Sequence, residues 1–368
     1  MKKLFDKKIQ PQISGIRPYV PGKPISELQR ELNLVRVSKL ASNENPLGAS
    51  PKVLQAIRDQ LIDISRYPDG SAYYLHDEMA KFLGRSKEEV AFGNGSNELL
   101  ELVARIFAGP GDEIVYSQYA FAIYAISAQI VGATGVEVPA NGWSHDLAAI
   151  LEAITPKTKI VYLANPNNPT GTLFAREEWE SFISKVPSDV IVVLDEAYFE
   201  YVNHPEYANG LDYIDAYPNL LVSRTFSKAY GLASLRLGYM VGNFEVIGYI
   251  NQVRAPFNVN HYAQIAAVAA LKDQSFVKRT VEFNHQGMAQ FLAVFNKFNL
   301  DYIPSYGNFV CVSFGDKTEE FNQILLKKGV IVRPMAGYNM PEHLRISIGS
   351  STENQHFINV LSSLFKQD

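Results

Sequence analysis

Four short stretches carry residue types that could bind and transform a small molecule. Phe92-Gly-Asn-Gly-Ser-Asn-Glu98 reads as a strand end followed by a helix. Gly93 and Gly95 permit a tight turn and close backbone approach. Ser96 and Asn97 then set free N–H groups at a helix N-terminus, where an anion is favoured; the plain alternative is a turn before a capped helix. Asn165-Pro-Asn-Asn-Pro-Thr-Gly171 follows an apolar strand. Its prolines stiffen it, which suits holding Asn168 as a fixed hydrogen-bond donor, although Asn, Pro and Gly are also ordinary loop residues. In Asp195-Glu-Ala-Tyr198 an apolar run, Val190–Leu194, leads straight into a carboxylate. That carboxylate either caps the next turn or faces a ligand. Ser223-Arg-Thr-Phe-Ser-Lys-Ala-Tyr-Gly231 sets Lys228 among hydroxyls just past a strand, with Arg236 shortly after. Alone, this lysine is as readily a solvated loop residue.

The four stretches complement one ligand. Pyridoxal phosphate (PLP) presents a phosphate, a pyridine nitrogen, a phenolic oxygen and an aldehyde. The phosphate wants backbone N–H groups, hydroxyls and a cation, which Ser96, Asn97, Thr225, Ser227 and Arg236 offer. The pyridine nitrogen wants an anion that keeps it protonated, here Asp195. The phenolic oxygen wants donors, Asn168 and Tyr198. The aldehyde wants an amine, Lys228.

The elements that must position these residues alternate along the chain. Helical spacing over Pro51–Ile62 and Glu98–Phe107 gives way to β-rich runs at Glu113–Tyr116, Lys159–Leu163, Val190–Leu194 and Leu220–Ser223. Helical patterns around Tyr119–Val131 and Arg176–Lys185 separate several of them. Apolar strands alternating with helices predict an α/β fold with a mostly parallel sheet flanked by helices, and polar residues at the strand C-terminal ends face the ligand crevice. From Asn260 a long helix is expected, extended by Gln274–Phe298. Short strands at Asn308–Ser313, Val330–Arg333 and Leu344–Ile348 and a final helix Thr352–Lys366 follow, giving a smaller α/β domain. The expected division is an N-terminal arm at 1–44, a large PLP-binding domain at 45–260 and a small C-terminal domain at 261–368.

Composition narrows the class. The chain of 368 residues is 47% hydrophobic and 20% charged, with a formal net charge of -4. Such a balance gives no reason to invoke nucleic acid or an anionic membrane as partner. Met1–Gln10 is basic, but no apolar stretch of a signal peptide follows it, and no run approaches the ~20 apolar residues of a membrane span. A lone cysteine, Cys311, forbids an intrachain disulfide and fits a reducing, cytoplasmic setting. No metal site is expected.

The set Asn165–Gly171, Asp195–Tyr198, Ser227-Lys228 and Arg236, in this order and spacing, resembles the fold-type I PLP aminotransferases of the aspartate aminotransferase superfamily, over nearly the whole chain. Within it the chain is most similar to the histidinol-phosphate aminotransferase family, on Arg17-Pro-Tyr-Val-Pro-Gly22, Leu40–Gly48, Arg66-Tyr-Pro-Asp69, Val332-Arg-Pro-Met335 and Leu344–Gly349. The resemblance makes Lys228 the Schiff-base lysine and Asp195 the partner of the pyridinium. It places Asn168 and Tyr198 on the phenolic oxygen, and Ser96, Asn97, Thr225, Ser227 and Arg236 on the phosphate. Phe121 falls where the family stacks an aromatic on the cofactor ring, with Tyr119 and Tyr124 as neighbours that confuse the assignment. Tyr67 matches a tyrosine that reaches the partner subunit's cofactor, implying a homodimer. Arg345 matches the residue that grips the substrate carboxylate, and Arg333 the one used on a substrate phosphate. Tyr19 and Asn43 lie in the arm over the imidazole end of the substrate. The implied reaction moves the amino group of L-histidinol phosphate to 2-oxoglutarate. The competing expectations are an aromatic (Phe/Tyr) aminotransferase, a PLP decarboxylase of a phosphorylated amino acid, and a PLP-sensing regulator. The last needs a DNA-binding domain that the Pro-rich residues before Asn43 do not supply.

Overall fold

The computed structural model describes residues 8–16, 18, 22–61 and 64–365. Short β1 (Ser38–Lys39) precedes the seven strands of the main sheet: β2 (Val90–Asn94), β3 (Glu113–Ser117), β4 (Thr134–Val138), β5 (Thr158–Ala164), β6 (Ile191–Asp195), β7 (Leu220–Thr225) and β8 (Leu237–Gly242). They lie in the order β2-β8-β7-β6-β5-β3-β4. Neighbours from β7 through β4 run parallel, and β8 alone is reversed, antiparallel to both β2 and β7.

The apolar runs read as strands because both faces of this sheet are covered. Successive side chains of a strand point to opposite faces. Val161 and Leu163 of β5 accordingly enter one core and Ile160 and Tyr162 the other. Val192 and Leu194 part from Ile191 and Val193 in the same way. Helices Tyr73–Leu83, Arg176–Ile183 and His261–Leu271 give buried residues to the first core; Ser96–Phe107, Ile123–Val131 and Phe244–Val253 give theirs to the second.

A second sheet comprises β9 (Tyr302–Ile303), β10 (Phe309–Ser313), β12 (Arg333–Pro334) and β13 (His343–Ser347), in the order β12-β13-β10-β9, all antiparallel, while β11 (Val330–Ile331) pairs in parallel with β1. Its core joins Val310, Val312, Leu344 and Ile346 to Phe291, Phe295 and Phe357 of the helices Gln274–Lys297 and Ser351–Leu364, with Leu40 just after β1.

Two elements differ from their sequence reading. The expected long helix from Asn260 is broken into His261–Leu271 and Gln274–Lys297. At the break, Asp273 accepts hydrogen bonds from Ser50 Oγ at 2.8 Å and Lys52 Nζ at 3.1 Å. That tie spans more than two hundred positions, so no local pattern announces it. The helix expected around Tyr119–Val131 begins only at Ile123, because Tyr119 takes a left-handed φ of 56°.

Candidate active site

The C-terminal ends of β5, β6 and β7 and the helix after β2 meet around a cavity of about 260 Å³. Ser96, Asn97, Phe121, Asn168 and Asp195 line it, as do Tyr198, Thr225, Ser227, Lys228 and Arg236. Asn43 and Arg345 reach it from the segment after β1 and from β13.

One end of the cavity is built for an anion. The helix Ser96–Phe107 starts there, capped by Gly95 at φ 78°. Its first N–H groups have no partner within the helix and carry the positive end of its dipole. Arg236 stands beside them: a Cβ on Gly95 would lie 2.5 Å from Arg236 Nη2. Gly238 of β8 passes under the same turn so closely that a Cβ there would lie 2.3 Å from the Ser96 nitrogen. The glycines are therefore required by the approach of arginine, strand and helix start, and the Thr225 and Ser227 side chains line the same cavity, a setting that favours an anion.

Asp195, the last residue of β6, is buried and lines the same cavity. Its Oδ2 accepts a hydrogen bond from Tyr124 at 3.0 Å, while Oδ1 is buried with no partner. Burial pushes its carboxyl up to about 6, against the lowering pull of the Tyr124 hydrogen bond. An unpartnered buried carboxylate oxygen is costly and suits a cationic N–H donor such as a protonated pyridine nitrogen. Behind it, Glu196 and Arg224 form a buried ion pair, with Nε and Nη2 at 2.9 and 2.7 Å from Oε2. That pair fixes the crossing from β6 to β7.

Lys228 lies in the loop after β7, whose turn is closed by Gly231 N–H on the Lys228 carbonyl at 2.9 Å. Phe226 and Ala229 on either side are fully buried, so the loop is pinned while the lysine lines the cavity. Its Nζ sits 5.6 Å from the centre of the Tyr198 ring. Arg345 donates to Asn168 Oδ1 through Nη1 and to the Ala41 carbonyl through Nη2 at 3.1 Å, leaving its buried Nε without a hydrogen bond. Tyr198 accepts from Asn43 Nδ2 at 2.9 Å, and burial raises its phenol above the ordinary range.

Two residues singled out in the sequence lie elsewhere. Arg333 is the direct antiparallel partner of Arg345 across β12 and β13, but it lines an adjoining groove that shares Phe121 with the main cavity. Tyr67 is 82% exposed and stacks on Phe257 at 4.7 Å. Tyr19 lies outside the described residues. In the other direction, Tyr124 was named in the sequence only as a neighbour of Phe121, and the structure gives it a task of its own. It is fully buried, stacks on Tyr162 at 4.9 Å and donates to Asp195. Its spacing of three from Phe121, on one face of a helix turn, was the available signal.

This fold and constellation have known counterparts. Residues 35–361 match the family described as aminotransferase class I and II, and the chain belongs to that family. It is 66% identical to a histidinol-phosphate aminotransferase of Hydrogenovibrio crunogenus over 98% of this chain and 97% of that protein, and 52% identical to one of Pseudomonas fluorescens over 96% of each. The crystal structure of the histidinol-phosphate aminotransferase from Sinorhizobium meliloti in complex with pyridoxal-5'-phosphate aligns with a TM-score of 0.88 at 28% identity, covering 97% of this chain and 98% of that one. Within the class, the chain stands among the histidinol-phosphate aminotransferases.

Proposed function

We propose that this enzyme moves the amino group of L-histidinol phosphate to 2-oxoglutarate, giving imidazole acetol phosphate and L-glutamate, with PLP as cofactor. The observation that carries this reading is one cavity in which the Lys228 side chain, the unpartnered Oδ1 of Asp195 and the Arg236-flanked helix start converge. The Hydrogenovibrio relative at 66% identity supports the phosphorylated substrate over the aromatic amino acid reading.

Bound PLP supplies an aldehyde that links to amines and a protonated ring that takes up the electrons of a broken Cα–H bond. The chain's residues do the rest. Asp195 turns Oδ1 to the ring nitrogen and keeps a proton there, while Ser96, Asn97, Thr225, Ser227 and Arg236 bind the phosphate. Asn168 and Tyr198 address the phenolic oxygen, and Phe121 packs on the ring face. Lys228 would hold the cofactor in the resting enzyme, and its freed amine would take the proton from the substrate Cα and deliver it to the carbon that carried the cofactor's aldehyde, a positioned acid–base role worth roughly 10²–10⁴-fold. Arg345 grips a substrate carboxylate with its planar fork; Arg333, its neighbour across the strand pair, serves the phosphate of histidinol phosphate. Asn43 and Tyr19 were expected at the imidazole end.

The test is a coupled assay with PLP and 2-oxoglutarate that compares histidinol phosphate with phenylalanine and tyrosine. A clear kcat/KM preference for histidinol phosphate is expected, and in Arg333→Ala that preference should fall by roughly tenfold or more, the loss of a charge-assisted contact. Preference for phenylalanine with no effect of Arg333→Ala would replace the substrate assignment while leaving the chemistry intact.

The same proposal includes a homodimer and a cytoplasmic setting. Tyr67 borders a groove of about 750 Å³ lined by Tyr74, Leu75, Ile265 and Val268, and Tyr74, Leu61 and Ile64 are exposed nearby. Contiguous apolar surface of this kind marks an interface, from which Tyr67 would reach a partner's phosphate site. Light scattering should return twice the 41.1 kDa of one chain; a single-chain mass at working concentration would remove Tyr67 from the site.

A further inference from the structure

Asn43 was placed by resemblance over the substrate, yet every polar group it has is engaged inside the protein. Its backbone N–H donates to Ser347 Oγ at 2.8 Å, and the Ser347 hydroxyl donates back to Asn43 Oδ1 at 2.7 Å. Asn308 Nδ2 donates to the Asn43 carbonyl at 3.0 Å. Asn43 Nδ2 in turn donates to Tyr198 Oη at 2.9 Å. The residue is buried and sits at φ 53°, a left-handed conformation that asparagine tolerates better than most.

This arrangement has a polarity. Ser347 Oγ accepts from the backbone N–H and gives its one proton to Asn43 Oδ1, which leaves the amide's NH₂ facing Tyr198. The phenol oxygen of Tyr198 then accepts, and its single proton is left to point away from Asn43. Tyr198 is buried, with its ring edge-on to Phe309 at 5.2 Å, so the ring cannot swing to another partner. We propose that Asn43, locked by Ser347, is a positioning residue that makes Tyr198 a hydrogen-bond donor toward the phenolic oxygen of the cofactor. The proposal rests on the function assigned above.

Ser347 stands two residues beyond Arg345 on β13, and alternate residues of a strand share a face. The strand that carries the anion-gripping arginine therefore also carries the hydroxyl that sets the direction of the Tyr198 proton. The charged groups acting on Tyr198 are Arg345 and Asp195, with Lys228 Nζ 5.6 Å from its ring. All three stay in place when only Asn43 or Ser347 is changed.

The experiment uses PLP-loaded wild type, Tyr198→Phe, Asn43→Gly, Ser347→Ala and the Asn43→Gly/Tyr198→Phe double variant. Glycine is chosen at 43 because it accepts the left-handed φ, and Ser347→Ala provides an independent route should the first variant fold poorly. The measurement is the pH midpoint at which the visible absorbance band of bound PLP changes. A donor on the phenolic oxygen stabilises its anion and lowers that midpoint, so loss of the donor raises it. Tyr198→Phe should raise the midpoint, and Asn43→Gly should raise it by roughly half a pH unit or more. Ser347→Ala should shift it the same way, and the double variant should go no further than Tyr198→Phe alone, as expected for two residues acting through one bond. Wild-type midpoints in Asn43→Gly and Ser347→Ala, an unshifted Tyr198→Phe, or additive shifts in the double variant would each overturn the proposal. A wild-type protein that develops no visible band with PLP would overturn the functional reading and this inference with it.

Discussion

Lys228→Ala is expected to fold like the wild type, to keep the phosphate cradle, and to lose transamination by at least ~10²–10⁴-fold, the contribution of a positioned acid–base group. The fold should survive because the turn is held by other atoms. Phe226 and Ala229 remain buried, and the bonds from Gly231 N–H to the carbonyl of residue 228 and from Leu232 N–H to that of Phe226 involve backbone alone. Chemistry should fail because, among the described residues, no other lysine lines the cavity. Arg236 and Arg345 also line it, but a guanidinium offers donors and no acceptor atom for a proton. The measurement is a single-turnover absorbance trace of the loaded protein with histidinol phosphate, alongside circular dichroism. Turnover within tenfold of wild type would assign the proton transfer to another group.

Asp195→Asn should separate stability from function in opposite directions. Burial raises the Asp195 carboxyl from its ordinary 3.8 to about 6. Between those values the folded protein holds a proton that the unfolded chain has released, so the stability of the cofactor-free protein falls as pH rises from about 4 to about 6 and is flat above. The penalty at neutral pH is on the order of 3 kcal/mol. Asparagine cannot ionise and can still accept from Tyr124, so the cofactor-free variant should be more stable than wild type above pH 6, by up to that amount, and should lose the slope between pH 4 and 6. The same change removes the anion that keeps the ring nitrogen protonated. The PLP-induced rise in Tm should shrink, and kcat should fall by roughly 10²-fold or more. Calorimetry at several pH values with and without PLP gives both halves. A variant with unchanged pH dependence and a full PLP-induced shift would show that Asp195 faces no cationic partner.

Much of the site was legible because a doubly covered parallel sheet writes its strands as unbroken apolar runs, and the residue that ends such a run points into the crevice. Val190–Leu194 leading into Asp195 is the plainest case, and the lysine after Leu220–Ser223 follows the same logic. The reversed strand was not legible: Leu237–Gly242 was not among the strands read from the sequence, and it runs against both of its neighbours. The break at Asp273 depends on Ser50 and Lys52, contacts without a local signature. Roles set by the direction of a single hydrogen bond were beyond the sequence as well. Tyr124 could be seen beside Phe121, but its bond to Asp195 requires the strand and helix to be brought together. Asn43 sits in a motif that announces importance, and only the geometry reveals that Ser347 and Tyr198 occupy its side chain. Arg333 and Arg345 were paired by type and stand opposite each other across β12 and β13, yet Arg345 lines the cavity and Arg333 the adjoining groove.

The most direct test of the central claim is chemical. The purified protein is loaded with PLP, reduced with borohydride, digested and mapped by mass spectrometry. Reduction makes a lysine–cofactor linkage permanent, and the account predicts the adduct on the peptide containing Lys228, with the visible band lost in proportion. An adduct on another lysine, or stoichiometric PLP binding with no adduct at all, would contradict it.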